Sequence, residues 1–256
     1  MTDLITDVGG PVATATVNRP GARNAMTMAM YDALADFCDR VDASSEVRVA
    51  VLRGAGGKAF VAGTDINHFA GFTGAGDGIA YERHIESVLD RLERVRVPTI
   101  AVVEGFATGG GLSMAAACDL RICAPNARFG LPIARTLGNC VSMATYARLV
   151  ALLGAGRTLH LIYTADLVDA DEALRIGLAS EVVPGDDLDS RLARLCDQLA
   201  SHAPLTMRAS KIALRRLREH VLPPDADLVS MCYGSEDFRE GVGAFLGKRA
   251  PRWRGR

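Results

Sequence analysis

The sequence predicts a mixed α/β fold, with an α/β core at residues 1–190 and a helical region at 191–256. Three observations predict it. Short apolar, β-branched runs alternate with Gly-containing turns and amphipathic stretches through the first three quarters of the chain. After Pro184 the strand-like runs stop and helical spacing takes over. The composition, 49% hydrophobic and 23% charged over 256 residues, is that of a folded globular chain. It excludes disorder, collagen and a disulfide miniprotein.

The elements follow in order. Residues 3–18 form a hairpin, with Leu4-Ile5 and Val12 to Val17 flanking the Gly9-Gly10-Pro11 turn. Asn18-Arg19-Pro20-Gly21 breaks the strand. Thr27 is a helix N-cap, with Tyr31, Leu34, Phe37 and Val41 on one face of the helix that follows. Residues 47–52 are a β-branched strand ending in the Gly54 to Gly57 loop, and Phe60-Val61-Ala62 is a short buried piece. The Gly-rich stretch 71–78 reads as a mobile loop. Tyr81, Ile85, Val88, Leu89, Leu92 and Val95 mark an amphipathic helix.

The pattern then recurs: a strand at 99–103, a Gly-rich turn, an Ala-rich helix to Ala117 and a strand at 120–123. A loop runs from Pro125 to Arg135. Helical spacing returns over 142–153 and 169–176, with a strand at 179–183. Helices at 187–202, 206–220 and 225–232 precede a basic tail holding Lys248, Arg249, Arg252, Arg254 and Arg256. This C-terminal region is too short for a large core of its own, so it packs on the core or on a partner subunit.

Several function classes fall away. Lys and Arg number 29 against 30 Asp and Glu, so the net charge of -1 leaves no footprint for nucleic acid or an anionic membrane. The cysteines at 38, 118, 123, 140, 196 and 232 form no CxxC pair, so no metal site is expected. Free thiols and an N-terminus without a basic, then apolar, leader point to a cytoplasmic protein. Val97 to Cys118 has the length of a membrane span, but Glu104 and Gly109-Gly110-Gly111 make it a strand, turn and helix.

Two Gly-containing turns could carry chemistry, Ala62-Gly63-Thr64-Asp65-Ile66 and Gly105 to Ser113. Each follows an apolar strand, and the second opens a helix. Glycine there lets a ligand approach backbone N–H groups and the positive end of a helix dipole. Two such N–H groups converging on one oxygen make an oxyanion hole.

Taken in order, Asn18-Arg19-Pro20 with Asn24-Ala25, Ala59 to Ile66, Gly105 to Gly111, Cys118-Asp119 and Phe129-Gly130-Leu131-Pro132 resemble the enoyl-CoA hydratase/isomerase (crotonase) family. The ending Ser235 to Gly241, Ala244-Phe245, Lys248-Arg249 and Pro251 matches as well. The resemblance implies a spiral of strand–strand–helix units with a C-terminal helical trimerisation region, and a homotrimer or dimer of trimers. It implies an acyl-CoA thioester substrate, with coenzyme A as part of that substrate and no separate cofactor. The enolate oxygen would lie on the backbone N–H groups of Thr64 and Gly110. Arg23, Ala62, Asp65, Ile66, Phe245 and Lys248 would lie along the CoA. Asn67 stands where a lysine is frequent. Asp65 and Asp119 read as turn and cap residues.

The chain departs from the family at two positions. Hydratases of this family use two glutamates as general acid and base, and the matching positions hold Ser113 and Ile133. Isoleucine transfers no proton, and a serine hydroxyl needs a partner to do so. His68, Arg135 and Cys140 are the replacement candidates to weigh near the acyl pocket, although a surface role suits Arg135 and an inert thiol suits Cys140. Glu82 and His84, just past the Gly-rich loop, stand where they could swing over the acyl pocket, although a solvated helix face is the commoner reading. Lyase or isomerase chemistry is the leading expectation. Decarboxylation, hydrolysis and non-catalytic acyl-CoA binding are the alternatives.

Two other readings fail on the residues. Gly54-x-Gly56-x-x-Ala59 with Asp77 imitates a dinucleotide fingerprint, but Phe60 to Gly63 leaves no room for its helix. Gly111-Leu112-Ser113-Met114-Ala115 imitates a nucleophile elbow, but His160, His202 and His220 lie in no telling context.

Overall fold

The computed structural model describes residues 2–219 and 226–254. Met1, the expected helix ends at His220 and Asp225, and Arg256 of the basic tail lie outside the described residues. In chain order the elements begin β1 (Leu4–Asp7), β2 (Val12–Val17), α1 (Met28–Ala43), β3 (Val49–Gly54), β4 (Ala59–Val61), α2 (Ala75–Arg94), β5 (Thr99–Val103), β6 (Phe106–Thr108) and α3 (Gly110–Ala117). They continue β7 (Leu120–Cys123), β8 (Arg128–Gly130), α4 (Ile133–Thr136), α5 (Met143–Leu153), α6 (Ala155–Thr164), β9 (Val168–Asp169), α7 (Ala170–Arg175) and β10 (Glu181–Val182). The last helices are α8 (Leu188–Ser201), α9 (Pro204–Glu219), α10 (Ala226–Tyr233) and α11 (Glu236–Leu246).

Two sheets result. The larger has the order β1-β2-β3-β5-β7-β10 and the smaller β4-β6-β8-β9. Among the described residues, only β1–β2 and β8–β9 pair antiparallel. Three successive units share one plan: β3-β4-α2, β5-β6-α3 and β7-β8-α4 each give a first strand to the larger sheet, a second to the smaller, and then a helix. This is the spiral of strand–strand–helix units.

The sheet positions explain the apolar runs. Ala50, Leu52, Ala101 and Val103 face the main core, while Val49, Val51, Ile100 and Val102 face the other side, under Leu188, Leu195 and Cys196 of α8. A parallel strand covered on both faces carries no polar alternation. At α1, the Thr27 hydroxyl accepts from the Met30 N–H, the expected cap.

Some expectations need correction. Residues 75–78 are the first turn of α2, not loop. The Asp77 carboxylate accepts from the Thr73 N–H at 2.7 Å and the Gly74 N–H at 3.2 Å, which holds it below the usual carboxylate range. Gly78 is there for close packing, because a Cβ would come within 2.2 Å of the Tyr233 ring. The strand expected at 179–183 shortens to β10, with Ala179 turned back to the Ala173 carbonyl while Ser180 and Val183 still donate to β7 at Arg121 and Cys123. Helix α6 and strands β6 and β8 had no recognised signal. Helix α11 fills the stretch before the basic tail, where no helix was expected, and is capped by the Ser235 hydroxyl accepting from the Phe238 N–H at 2.9 Å. The C-terminal helices return to the core, with α10 against α2 and α11 against the turn at Ile66–Gly71.

A buried ion cluster ties three helices together. The Arg148 side chain on α5 is 1% exposed and donates to Glu93 at 2.9 Å and to Glu86 at 2.6 and 3.0 Å, both on α2. Arg218 of α9 also binds Glu93. Burial opposes ionisation of Glu93, but the Arg218 hydrogen bond and the Arg148 charge outweigh it and hold its carboxyl below the ordinary value of 4.5. Breaking such a cluster on one side strands the remaining charges. Arg148→Ala is therefore expected to lose about 3–5 kcal/mol in denaturant unfolding. A native value below the unfolded one gives stability that is present above the unfolded value and lost as pH falls through the native one. The stability gap between wild type and Arg148→Ala should accordingly narrow as pH is lowered below 4.5.

Candidate active site

The first turn leaves β4 through Gly63, whose φ of +105° favours glycine. The Met26 N–H donates to the Gly63 carbonyl at 2.9 Å, and the Asp65 N–H donates to the Met26 carbonyl at 2.8 Å. In such a bridge the amide of the intervening residue, Thr64, faces the opposite side. Arg19 clamps the turn through Asp65 at 3.1 Å and the Ala25 carbonyl at 2.7 Å. Buried Asn24 donates to the carbonyls of Ala55 at 2.9 Å and Ala59 at 2.6 Å. Asp65 also accepts from the Asn67 N–H. Burial works against its charge, but these donors keep the carboxyl below its usual range. The Asn-Arg-Pro segment is thus a brace for the Thr64 turn.

The second turn leaves β6. Gly109 has φ +56° and donates its N–H to the Gly130 carbonyl at 3.0 Å. Gly110 opens α3, whose first-turn amides have no intrahelical acceptor. A Cβ on Gly111 would sit 1.9 Å from the Val61 carbonyl oxygen, and one on Gly110 would sit 2.7 Å from the Tyr31 hydroxyl and 3.9 Å from the Gly63 Cα. The triple glycine therefore seats the second turn on the first. Both border a cavity of about 550 Å³.

Hydroxyls anchor Thr64. Its Oγ1 lies 3.0 Å from the Tyr31 hydroxyl and 2.6 Å from that of Tyr81. Burial pushes the Tyr31 phenol up to about 12 and the Tyr81 phenol well above its ordinary value, so both stay protonated. Phe69, Ile85, Leu137, Val141 and Leu246 supply apolar wall, and Arg23 stands at the rim with its guanidinium 5.6 Å from the Phe106 ring centre. Among the described residues, no group of three His, Cys, Asp or Glu side chains converges as metal ligands would.

The structure gathers Thr64, Gly110, Ser113, Ile133, Arg23, Ala62, Asp65, Ile66 and Phe245 around this cavity. The Ser113 hydroxyl donates to the Gly109 carbonyl at 3.3 Å. His68, Arg135, Cys140 and Lys248 are outside the lining. His68 is exposed and packs edgewise on Phe69 and Phe72, Arg135 is exposed on α4, Cys140 is buried behind the wall, and Lys248 lies exposed beyond α11. His84 faces Asp32 at 2.9 Å. Asp119 accepts from the Thr99 N–H and from Lys211, tying the start of β5 to α9 rather than capping a helix.

Glu82 corrects the solvated-face reading. It is 8% exposed, borders the cavity, and accepts from the Tyr233 hydroxyl at 2.6 Å. Its spacing to Ile85 and Leu89, three and seven residues on, already placed it on the apolar stripe.

A family model described as enoyl-CoA hydratase/isomerase matches residues 7–256. The chain belongs to the enoyl-CoA hydratase/isomerase family. It is 35% identical over 253 residues to a short-chain-enoyl-CoA hydratase of Clostridium acetobutylicum, covering 97% of this chain and 96% of that one. It is 34% identical over 251 residues to a crotonyl-CoA hydratase of Syntrophomonas wolfei, covering 96% of each. A solved methylmalonyl-CoA decarboxylase in complex with 2-nitronate-propionyl-CoA superposes with a TM-score of 0.90 at 28% identity, covering 100% of this chain and 99% of that chain. Family membership gives the resemblance of the Asn-Arg-Pro and triple-glycine segments its physical basis, since both serve one backbone junction.

That junction is testable. Gly111→Ala presses a methyl against the Val61 carbonyl, and is expected to lower stability by about 1–3 kcal/mol in denaturant unfolding.

Proposed function

We propose that the chain is an acyl-CoA thioester-processing enzyme of the enoyl-CoA hydratase/isomerase type. The backbone N–H groups of Thr64 and Gly110 hold the thioester oxygen as it becomes an enolate oxygen. The observation that carries this reading is the seating of the Gly109–Gly111 turn on the Gly63–Thr64 turn at the wall of one cavity. Preorganised donors in a water-poor site stabilise developing charge without reorganising. Arg23, the backbone of Ala62, Asp65 and Ile66, and Phe245 border the cavity along the path for CoA, with Lys248 exposed beyond α11. Coenzyme A enters as part of the substrate, with no separate cofactor.

Ser113 and Ile133 occupy the wall where two-glutamate hydration would need acids. Together with the decarboxylase likeness, this favours enolate chemistry such as a double-bond shift or decarboxylation over plain hydration. Self-association as a trimer or dimer of trimers belongs to the same reading, supported by the exposed Leu205, Leu214 and Leu217 of α9. None of the described helices is long and apolar enough to cross a membrane.

Proline is compatible with the first position of a helix but has no N–H. Gly110→Pro is best made on a Tyr31→Phe background, which removes the hydroxyl a Cβ would meet. Relative to Tyr31→Phe alone, turnover of acyl-CoA thioesters is expected to fall about 10²–10³-fold with the circular dichroism unchanged. A folded variant that keeps its rate would refute the oxyanion assignment. Crotonyl-CoA in heavy water, followed by mass spectrometry, separates added water from exchanged hydrogen. Exchange without hydration is the expected outcome.

A further inference from the structure

The oxyanion turns hold charge, but enolate chemistry at C–H bonds also needs a group that takes and returns a proton. The usual positions offer none, since Ile133 has no proton to exchange and the Ser113 hydroxyl donates to the Gly109 carbonyl. The cavity wall contains no histidine among the described residues, and its two carboxylates are Asp65 and Glu82. Asp65 is engaged by Arg19 and Asn67 in bracing the turn. On α2, Glu86 and Glu93 are bound by Arg148 and lie in the buried ion cluster. Glu82 stands one turn earlier and borders the cavity instead.

Its placement is specific. The preceding residue, Tyr81, hydrogen-bonds Thr64 at 2.6 Å, so the α2 backbone is tied to the oxyanion turn one residue from Glu82. From above, Tyr233 of α10 donates to Glu82 Oε1 at 2.6 Å, while Asn139 Nδ2 donates to the Tyr233 oxygen at 3.3 Å. Burial, and then the Glu82 charge, push the Tyr233 phenol well above its ordinary value, so it stays a donor. A carboxylate held by a phenol at the wall of a cavity is arranged for proton transfer.

We propose that Glu82 is the catalytic base and acid of this site, taking the place of the family's glutamates; this rests on the acyl-CoA reading above. The Glu82 carboxylate removes a proton from the acyl carbon beside the thioester carbonyl. The C–H electron pair becomes the enolate C=C bond, and the C=O π pair moves onto oxygen between the Thr64 and Gly110 N–H groups. Return of a proton from the Glu82 carboxyl to carbon restores both species. In heavy water the carboxyl proton equilibrates with solvent, so the returned hydrogen is deuterium.

The test is deuterium incorporation into a panel of saturated, 2-enoyl, 3-enoyl and 2-carboxyacyl-CoA thioesters, with binding of each thioester measured by calorimetry. Glu82→Gln keeps an acceptor for Tyr233 and so preserves the packing. We expect it to bind the thioesters within about threefold of wild type while exchange falls at least about a hundredfold. Glu82→Asp, which keeps the carboxylate, should recover part of that loss. Glu82→Gln exchanging at the wild-type rate would overturn the assignment and leave the acyl-CoA reading intact. Wild type that binds thioesters without exchanging any would overturn it too, in favour of a non-catalytic binder. Wild type that binds none of the panel would overturn both.

Discussion

Backbone meets backbone where α3 begins. The Val61 carbonyl lies so close to Gly111 that no side chain fits between them. Everything at the site depends on that approach. It brings the end of the second strand of one strand–strand–helix unit against the helix start of the next. It puts the Thr64 turn and the Gly110 amide on one wall. Main-chain donors cannot be swapped for better side chains, so the chain preserves them by preserving the approach. Gly63 and Gly109 supply the turns, and Arg19 and Asn24 brace the first of them.

The same wall needs a dry, rigid surround, and the C-terminal helices provide it. Helix α10 lies against α2 because Gly78 has no side chain to hold Tyr233 away. Tyr233 then stacks on Phe238 at 4.7 Å and reaches Glu82. Farther along α2, Arg148 and Arg218 take up Glu86 and Glu93. One helix therefore carries three buried or half-buried glutamates under different constraints. Two are bound in ion pairs that fasten helices together. One borders the cavity and is held by a phenol. A carboxylate bound by guanidinium groups is held ionised, whereas one held by a phenol in an apolar wall is placed to exchange a proton.

Much of the fold was legible because it rests on local chemistry. Alternation in β2, the Thr27 cap, the continuous apolar runs of β3 and β5, and the glycines at 63 and 109–111 all act within a few residues of themselves. What was not legible depends on distant partners. The Gly71–Gly78 stretch reads as loop until Tyr233 is seen packed on Gly78. Strands β6 and β8 carry only three residues each and exist through pairing with β4 and one another. Helix α6 starts at Gly154 with no side-chain cap to announce it.

The sequence by itself determined the family, the two glycine turns and the identities of Ser113 and Ile133. These are matters of residue identity and backbone conformation, which order along the chain preserves. Only the tertiary structure decided which polar groups share the cavity. It moved His68, Arg135, Cys140 and Lys248 off the wall and brought Glu82 onto it. The reason is physical: burial and hydrogen-bond partners come from elements far apart in sequence, as Tyr233 and Glu82 are at 151 residues.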